Sequence, residues 1–389
     1  MVKIMIKKLP LSRNGEIDFW KFIFSLIIVI HHSYSFIPNQ TRYFFGQGSI
    51  CVDFFLIISG YFMANSMFRK KLEYTPETIG SDTIKFIFGK IKSFLYYYVF
   101  ASVVIFITTL IKDGVAESLL TGKIFNFFFS ALFLNMTGLP DYNLISSSWY
   151  LSAMLLCMMI IYPIFRKNKN LFINVIAPLT AILLYGYLMK TSENVGDPTA
   201  WYGITYKGVL RGFAGICLGC VAYNISEYLK KQNITKLYSI LLSLYETICI
   251  IGIIGILSYT VPANGATALI FFFFTAFIVI ASKTACINKI YQYNIFEYLG
   301  KLSMAIFLIH PACHRIINII CARNFTFFVM TRSKAGCLKL TLIYLAMSVI
   351  AGILCVLICD KIKTVKDRKK AQKQIETSEV QASEVSVKN

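Results

Sequence analysis

Ionisable side chains inside apolar segments are the first candidates for chemistry in this sequence. Asp18, Lys21 and His32 share one such segment near the N-terminus. On a helix, the eleven positions from Lys21 to His32 return to within about 20° of the same direction and span about 16 Å. A charge inside a bilayer costs at least about 2.5–3.5 kcal/mol, which marks such residues for function. The pattern predicts a cation and an imidazole in line on one helix face, with Asp18 close enough to pair with Lys21.

Structural roles are the alternative for the same residues. Lys21 lies near the start of its segment and could extend to the lipid headgroups, with Asp18 as its partner. His32 could simply make a hydrogen bond inside a helix bundle. Imidazole titrates near neutral pH, however, so His32 is also the natural candidate for a general base.

Other ionisable pairs lie four residues apart in later apolar segments. Lys207 and Arg211 would repel each other unless an anion lies between them, and either a ligand phosphate or a carboxylate from another helix would serve. His310 and His314 could face a metal together, but no carboxylate or cysteine obviously completes that site. We therefore expect no metal, and expect His310 to line a polar cavity.

The elements that must position these residues are membrane-spanning helices. The chain has 389 residues, 57% of them hydrophobic, and a mean hydropathy of +0.63. A run of about 20 apolar residues crosses a bilayer as a helix. Glycines at every fourth or third position, at Gly208, Gly212, Gly215 and Gly219, predict close helix packing. We predict an all-α, polytopic membrane bundle with ten spans, at 17–37, 50–68, 93–111, 147–165, 171–189, 205–224, 239–260, 266–282, 298–320 and 338–360.

The distribution of charge supports ten spans. With the N-terminus in the cytoplasm, 27 of the 39 Lys and Arg residues fall in inner segments and 7 in outer segments, as the positive-inside rule requires. The short apolar stretch 124–137 is then a re-entrant or interfacial segment, and both termini are cytoplasmic. This topology accounts for the net charge of +20, so we expect a lipid bilayer around the protein and no nucleic-acid partner.

Four motifs, in order along the chain, resemble those of the membrane acyltransferase type 3 family. The first, an acidic residue, a cation, ten residues and a histidine, matches Asp18, Lys21 and His32, although arginine is commoner than lysine there and His31 precedes His32. The others are an Asp-Phe-Phe run ending in Ser-Gly-aromatic, a Trp-aromatic-Leu helix start, and a Leu-Gly-x-x-Ser element followed by His. They match Asp53 to Tyr61 (including Ser59), Trp149 to Leu151, and Leu299 to Ser303 followed by His310.

The resemblance implies an O-acyltransferase of the cell membrane. Such an enzyme would move an acyl group, usually acetyl, from cytoplasmic acyl-CoA to a hydroxyl of an extracytoplasmic glycan or glycolipid. His32 would be the general base or carry the acyl group, and Asp18 would position Lys21. Lys21, with Arg211, would bind the donor phosphates. Donor and acceptor would contact Asp53, Ser59, Trp149 and His310.

On this interpretation the chain has three parts. Residues 1–16 form a cytoplasmic segment, 17–360 the transmembrane acyltransferase domain, and 361–389 a basic cytoplasmic tail that is disordered or a frayed helical end. Two other classes remain open: a transporter or flippase of a glycan or lipid-linked oligosaccharide, which moves substrate without acyl chemistry, and a glycan polymerase. The polymerase is disfavoured because no large outer loop is present in the predicted topology.

Overall fold

Helices make up nearly all of the part of the chain that the computed structural model describes, namely residues 8, 10, 13–37, 43–70, 73–113, 117–139 and 146–388. A small antiparallel hairpin pairs β1 (Trp201–Tyr202) with β2 (Thr205–Tyr206). The helices, in chain order, are α1 (Gly15–His32), α2 (Cys51–Arg69), α3 (Ile79–Asp113), α4 (Glu117–Ala131), α5 (Trp149–Lys167), α6 (Lys169–Leu171), α7 (Ala177–Thr191), α8 (Lys207–Lys231), α9 (Lys236–Leu257), α10 (Gly265–Ala281), α11 (Asn294–Arg323), α12 (Phe325–Met330) and α13 (Lys334–Lys388).

The predicted polytopic helical fold is confirmed. Within the described residues, nine segments are long and apolar enough to cross a membrane, and α10, with 17 residues, is a shorter apolar helix. Together they correspond one for one to the ten predicted spans. Helix α4 overlaps the short apolar stretch 124–137 and is not one of the nine. The nine are Gly15–Phe36, Gly48–Arg69, Ile79–Lys112, Trp149–Lys167, Lys169–Thr191, Lys207–Lys231, Lys236–Leu257, Asn294–Arg323 and Lys334–Arg368.

Two helices extend well beyond their predicted spans. Helix α3 begins at Ile79 rather than at 93, and α13 continues to Lys388, through most of the tail that we expected to be disordered or frayed. A span predicted from hydropathy ends at the first cluster of charged residues, whereas the helix itself can continue through that cluster. Lysine, glutamate, glutamine and alanine favour helix, and a helix that already exists adds residues more easily than a new one forms.

Close packing of α2 against α8 forms the centre of the bundle. A Cβ atom added at Gly219 would lie 1.9 Å from the carbonyl oxygen of Ile57, and one added at Gly60 would lie 2.0 Å from that of Ile216. Only glycine permits backbones to approach this closely. The predicted packing role of the α8 glycines is therefore confirmed.

The bundle has two distinct ends. We call the end at which α1 begins and α2 and α8 finish, at Gly15, Arg69 and Lys231, the basic end. The opposite end, where α1 finishes at His32 and α2 begins at Cys51, is the far end. Helices α2 and α8 run in the same direction, because Asp53 meets Arg211 near their starts and Tyr61 meets Tyr223 further along.

Candidate active site

A network of ion pairs joins α1 to α11 at the basic end. Asn14 caps α1, its side chain accepting a hydrogen bond from the Ile17 amide. One turn later, Asp18 forms the predicted pair with Lys21 at 2.9 Å, and its other oxygen lies 2.7 Å from Arg13. Glu297 at the start of α11 pairs with Arg13 at 3.4 Å and with Lys301 at 3.3 Å. Three cations share two carboxylates, which leaves a positive balance at this end.

Asp18 packs against Gly300 of the Leu-Gly-x-x-Ser motif. A Cβ atom added at Gly300 would lie 2.4 Å from Oδ1 of Asp18, so this glycine makes room for the carboxylate. The Lys21 side chain is 22% exposed, and its Nζ lies 5.3 Å from the centre of the Phe62 ring in α2. The arrangement orients Lys21 while leaving its ammonium group within reach of a ligand.

At the far end, the structure brings His32 and His310 together. Their rings are stacked, with centroids 5.3 Å apart and planes 24° from parallel. The Tyr34 ring lies 6.5 Å from His32. Since Asp18 meets Gly300 at the basic end and His32 meets His310 at the far end, α1 and α11 run side by side in the same direction.

Pro311 leaves a backbone carbonyl free to accept a hydrogen bond from the His310 side chain. Proline has no N–H, so the carbonyl of Phe307, four residues earlier, lacks its normal helical donor. Nδ1 of His310 lies 2.8 Å from that oxygen. A carbonyl oxygen can only accept, so Nδ1 carries a proton, and the neutral ring keeps its lone pair on Nε2. His310 is buried and presents a ring nitrogen that can accept a hydrogen bond.

His31 faces a different part of the molecule from His32. Its Nδ1 donates to the carbonyl oxygen of Phe45 at 2.9 Å. A Cβ atom added at Gly48 would lie 2.7 Å from the Cβ atom of His31, so the two residues are in close contact. His31 therefore holds the connection between α1 and α2, whereas His32 contacts α11.

A second buried cluster at the far end contains Asp53, Arg211 and Trp149. Arg211 Nε lies 3.0 Å from Oδ1 of Asp53, and both side chains are completely buried. Tyr185 donates to Oδ2 of Asp53 at 3.2 Å. The guanidinium carbon lies 5.4 Å from the centre of the Trp149 ring, and Nη1 donates to the Gly196 carbonyl at 3.1 Å.

This cluster places Arg211 well away from Lys21, with which it was predicted to bind the donor phosphates. Lys21 contacts Phe62, which lies nine residues beyond Asp53 on α2, or about 13 Å along the helix. Arg211 is at the level of Asp53, so the two cations cannot hold the same phosphate group. Of the two partners left open for Arg211, the interhelical carboxylate is the one present. Lys207 does not share this carboxylate with Arg211, because its Nζ donates to the Asn194 carbonyl at 2.7 Å.

Ser59 lies one layer away from the histidines. Its hydroxyl is 3.1 Å from that of Tyr150. The Tyr150 ring packs 5.7 Å from Phe307, which in turn lies 6.0 Å from His310. Ser59 and His310 are thus linked through two aromatic rings. In the sequence, the proline after His310 indicates that a backbone carbonyl one turn earlier lacks its helical donor. The packing of Phe307 between Tyr150 and His310 could not be predicted from the sequence.

A pair of acidic residues was also not foreseen. Glu16 of α1 and Glu246 of α9 are both fully buried, and their carboxyl groups lie within hydrogen-bonding reach of each other. Trp20 also interacts with the Glu16 carboxyl group, but among the described residues none of the four oxygens has a well-aligned hydrogen-bond donor. Nearby, outside the spans, burial and the charges of these two residues raise the pKa of Tyr291 to about 12.

The fold and the clusters of polar groups within it define a polytopic helical membrane protein with two stacked histidines at the far end. The family model described as an acyltransferase domain matches residues 14–360, which is nearly the whole chain. The protein belongs to this family of membrane acyltransferases. No curated protein and no solved structure matches the chain.

Proposed function

We propose that this acyltransferase moves an acetyl group from cytoplasmic acetyl-CoA to a hydroxyl of an extracytoplasmic glycan or glycolipid. The hydroxyl oxygen forms a bond to the acetyl carbon as the carbon–sulfur bond breaks. The hydroxyl proton passes to a histidine and then to the CoA thiolate, so the products are the acetyl ester and free CoA.

One observation carries the proposal: the cation Lys21 and the stacked pair His32–His310 lie at opposite ends of α1 and on its common face. The separation of about 16 Å is of the order of an extended pantetheine arm. A thioester whose phosphates are bound near Lys21 would therefore present its carbonyl near His32. The basic end then lies on the cytoplasmic side of the cell membrane, in agreement with the distribution of Lys and Arg.

Each polar group near this path has a role in the proposal. His32 takes the proton from the acceptor hydroxyl, and the unprotonated Nε2 of His310 orients that hydroxyl or relays the proton. Asp18 holds Lys21 towards the donor. Asp53, Arg211 and Trp149 stabilise the far end of the bundle beside the site, and Ser59 with Tyr150 supports the aromatic rings under His310.

Acetyl transfer can be measured directly with purified protein in lipid vesicles and radiolabelled acetyl-CoA. Glycans extracted from cells that lack the protein serve as acceptor. We expect label to move to the glycan, and His32→Asn to slow transfer by about 10²- to 10⁴-fold, the usual contribution of a general base. His31→Asn is the matched control, because the amide can replace Nδ1 as donor to Phe45, and it should retain most of the activity.

Two results would contradict the proposal. If the wild-type protein moved glycan between leaflets while the thioester stayed intact, the protein would be a flippase. If His32→Asn inserted normally and kept full activity, the assignment of the base would be wrong. Surface glycans of cells with and without the protein should also differ in mass by acetyl groups.

A further inference from the structure

A cavity at the far end lies beside the histidines. Its volume is about 720 Å³, and its walls include side chains from the 3-10 turn that follows α1 (Ser33–Phe36), the end of α11 and the α12 region. This volume is within the range of about 300–1,000 Å³ that is usual for small-molecule sites. The residues that matter for its chemistry are Ser35, Phe36, Tyr43, Asn318, Phe328 and Arg332.

His314 connects this cavity to the candidate catalytic pair. The Ser35 hydroxyl hydrogen-bonds Nε2 of His314, and the Asn318 amide lies 3.4 Å from the same ring. His314 is one helical turn, about 6 Å, from His310, and His310 stacks on His32. A ligand in the cavity would thus lie about one turn of helix from the proposed base.

The lining combines aromatic rings with hydrogen-bonding groups. Phe36, Tyr43 and Phe328 supply flat apolar faces, while Ser35 and Asn318 supply a hydroxyl and an amide. Sugars present both apolar C–H faces and many hydroxyls, so a pocket with a few polar groups among aromatic rings suits a pyranose ring.

Arg332 adds a positive charge that membrane topology does not explain. Its guanidinium carbon lies 4.8 Å from the centre of the Phe328 ring, and none of the ion pairs among the described residues involves it. Residues 321–337 hold three cations and no acidic residue. The positive-inside rule places cations at the cytoplasmic end, whereas this segment lies at the opposite end. A guanidinium group on a cavity wall is suited to a carboxylate or phosphate.

We propose that this cavity binds the acceptor sugar and that Arg332 selects an acceptor carrying an anionic group. The inference rests on the proposed acetyl transfer and narrows its acceptor to acidic glycans, such as those with uronic-acid residues. The anionic group pairs with Arg332, the sugar ring packs on the aromatic side chains, and one of its hydroxyls points towards His310 and His32.

The test compares two probes that differ in one group. Binding of p-nitrophenyl β-D-glucuronide and p-nitrophenyl β-D-glucoside to the purified full-length protein is measured by equilibrium dialysis, and transfer of label from radiolabelled acetyl-CoA to each is measured in parallel. The variants are Arg332→Gln and Arg332→Lys, with Arg323→Gln as control. Arg323 is an exposed guanidinium in the same segment but does not line the cavity.

We expect the glucuronide to bind about 10-fold or more tightly than the glucoside, as a charge-assisted pair would provide. Arg332→Gln should remove that preference, Arg332→Lys should keep part of it, and Arg323→Gln should keep it all. Equal binding of the two probes, binding of neither, or a preference that survives Arg332→Gln would overturn the inference. If the Arg332-dependent preference is found but no label moves, the cavity assignment stands and the proposed acetyl transfer fails. If label moves equally to both glycosides, the transfer stands and the acidic-acceptor inference fails.

Discussion

The imidazole rings of His32 and His310 stack with centroids 5.3 Å apart, although 278 residues separate them in the chain. The contact unites the first and last motifs of the family at one point in the bundle. The two histidines have different surroundings. His310 is buried and hydrogen-bonded from Nδ1 to the Phe307 carbonyl, whereas His32 is partly exposed at the end of α1. A base supported by a second, oriented imidazole is the arrangement on which the proposed chemistry depends.

The hydrogen bond of His310 can be tested through its neighbour. Pro311→Ala restores a backbone N–H that competes for the Phe307 carbonyl and frees Nδ1 of His310. We expect kcat to fall by about 10-fold, less than the roughly 10²- to 10⁴-fold that the general base itself contributes, because His310 only orients the hydroxyl or relays its proton. The thermal unfolding temperature should stay the same or rise. Enzyme assays and unfolding curves in the same detergent measure the two effects. Full kcat in a variant with a more stable fold would show that the tautomer of His310 is irrelevant to catalysis.

The buried pair of Asp53 and Arg211 should act on stability. Asp53→Asn or Arg211→Gln leaves a buried charge without its partner, which costs about 3–5 kcal/mol. The double variant Asp53→Leu with Arg211→Met removes both charges and should recover most of the loss. Thermal unfolding in detergent gives the ranking. A stable Arg211→Gln protein with a raised KM for acetyl-CoA would instead return Arg211 to donor binding.

Lys21 is expected to bind the donor. Lys21→Gln should raise the KM for acetyl-CoA about 10-fold with a smaller change in kcat, because it removes binding that the ground state and the transition state share. Lys21→Arg should restore the low KM. The same comparison with acetyl-dephospho-CoA, which lacks the 3′-phosphate, shows whether that phosphate is the group that is bound.

A second basic site provides the control for Lys21. Lys230 and Lys283 line a cavity of about 500 Å³ at the basic end, between α8 and α9, and burial, then the charge of Lys230, lowers the pKa of Lys283. Lys283→Gln should leave the KM unchanged. If Lys283→Gln raised the KM instead, the donor phosphates would lie in this cavity and not at Lys21. The difference in KM between the variant and the wild type should then shrink as rising pH neutralises Lys283 in the wild type.

The facing carboxyl groups of Glu16 and Glu246 predict an unusual effect of amide substitution. Two buried groups that only accept when ionised repel each other, and a glutamine can donate to the remaining carboxylate. Glu246→Gln should therefore raise stability by about 1 kcal/mol, seen as a higher unfolding temperature, most clearly at alkaline pH. Glu246→Ala, which removes the partner without supplying a donor, is the comparison. A Glu246→Gln protein less stable than the alanine variant would exclude this explanation.

The sequence by itself determined the features that depend on local periodicity and composition. Helix geometry puts Lys21 and His32 on one face whatever surrounds them, and Asp18 pairs with Lys21 because it is three residues away. Hydropathy located the ten helices, since each must satisfy its backbone hydrogen bonds within itself in lipid.

Only the tertiary structure decided which helices supply the partners. Arg211 could have met a phosphate or a carboxylate, and the choice of Asp53 depends on α2 and α8 packing through Gly60 and Gly219. The separation of His31 from His32, and the approach of His32 to His310, likewise follow from how α1 lies between α2 and α11. Contacts between segments far apart in the chain depend on the shapes of both surfaces, and no single segment carries that information.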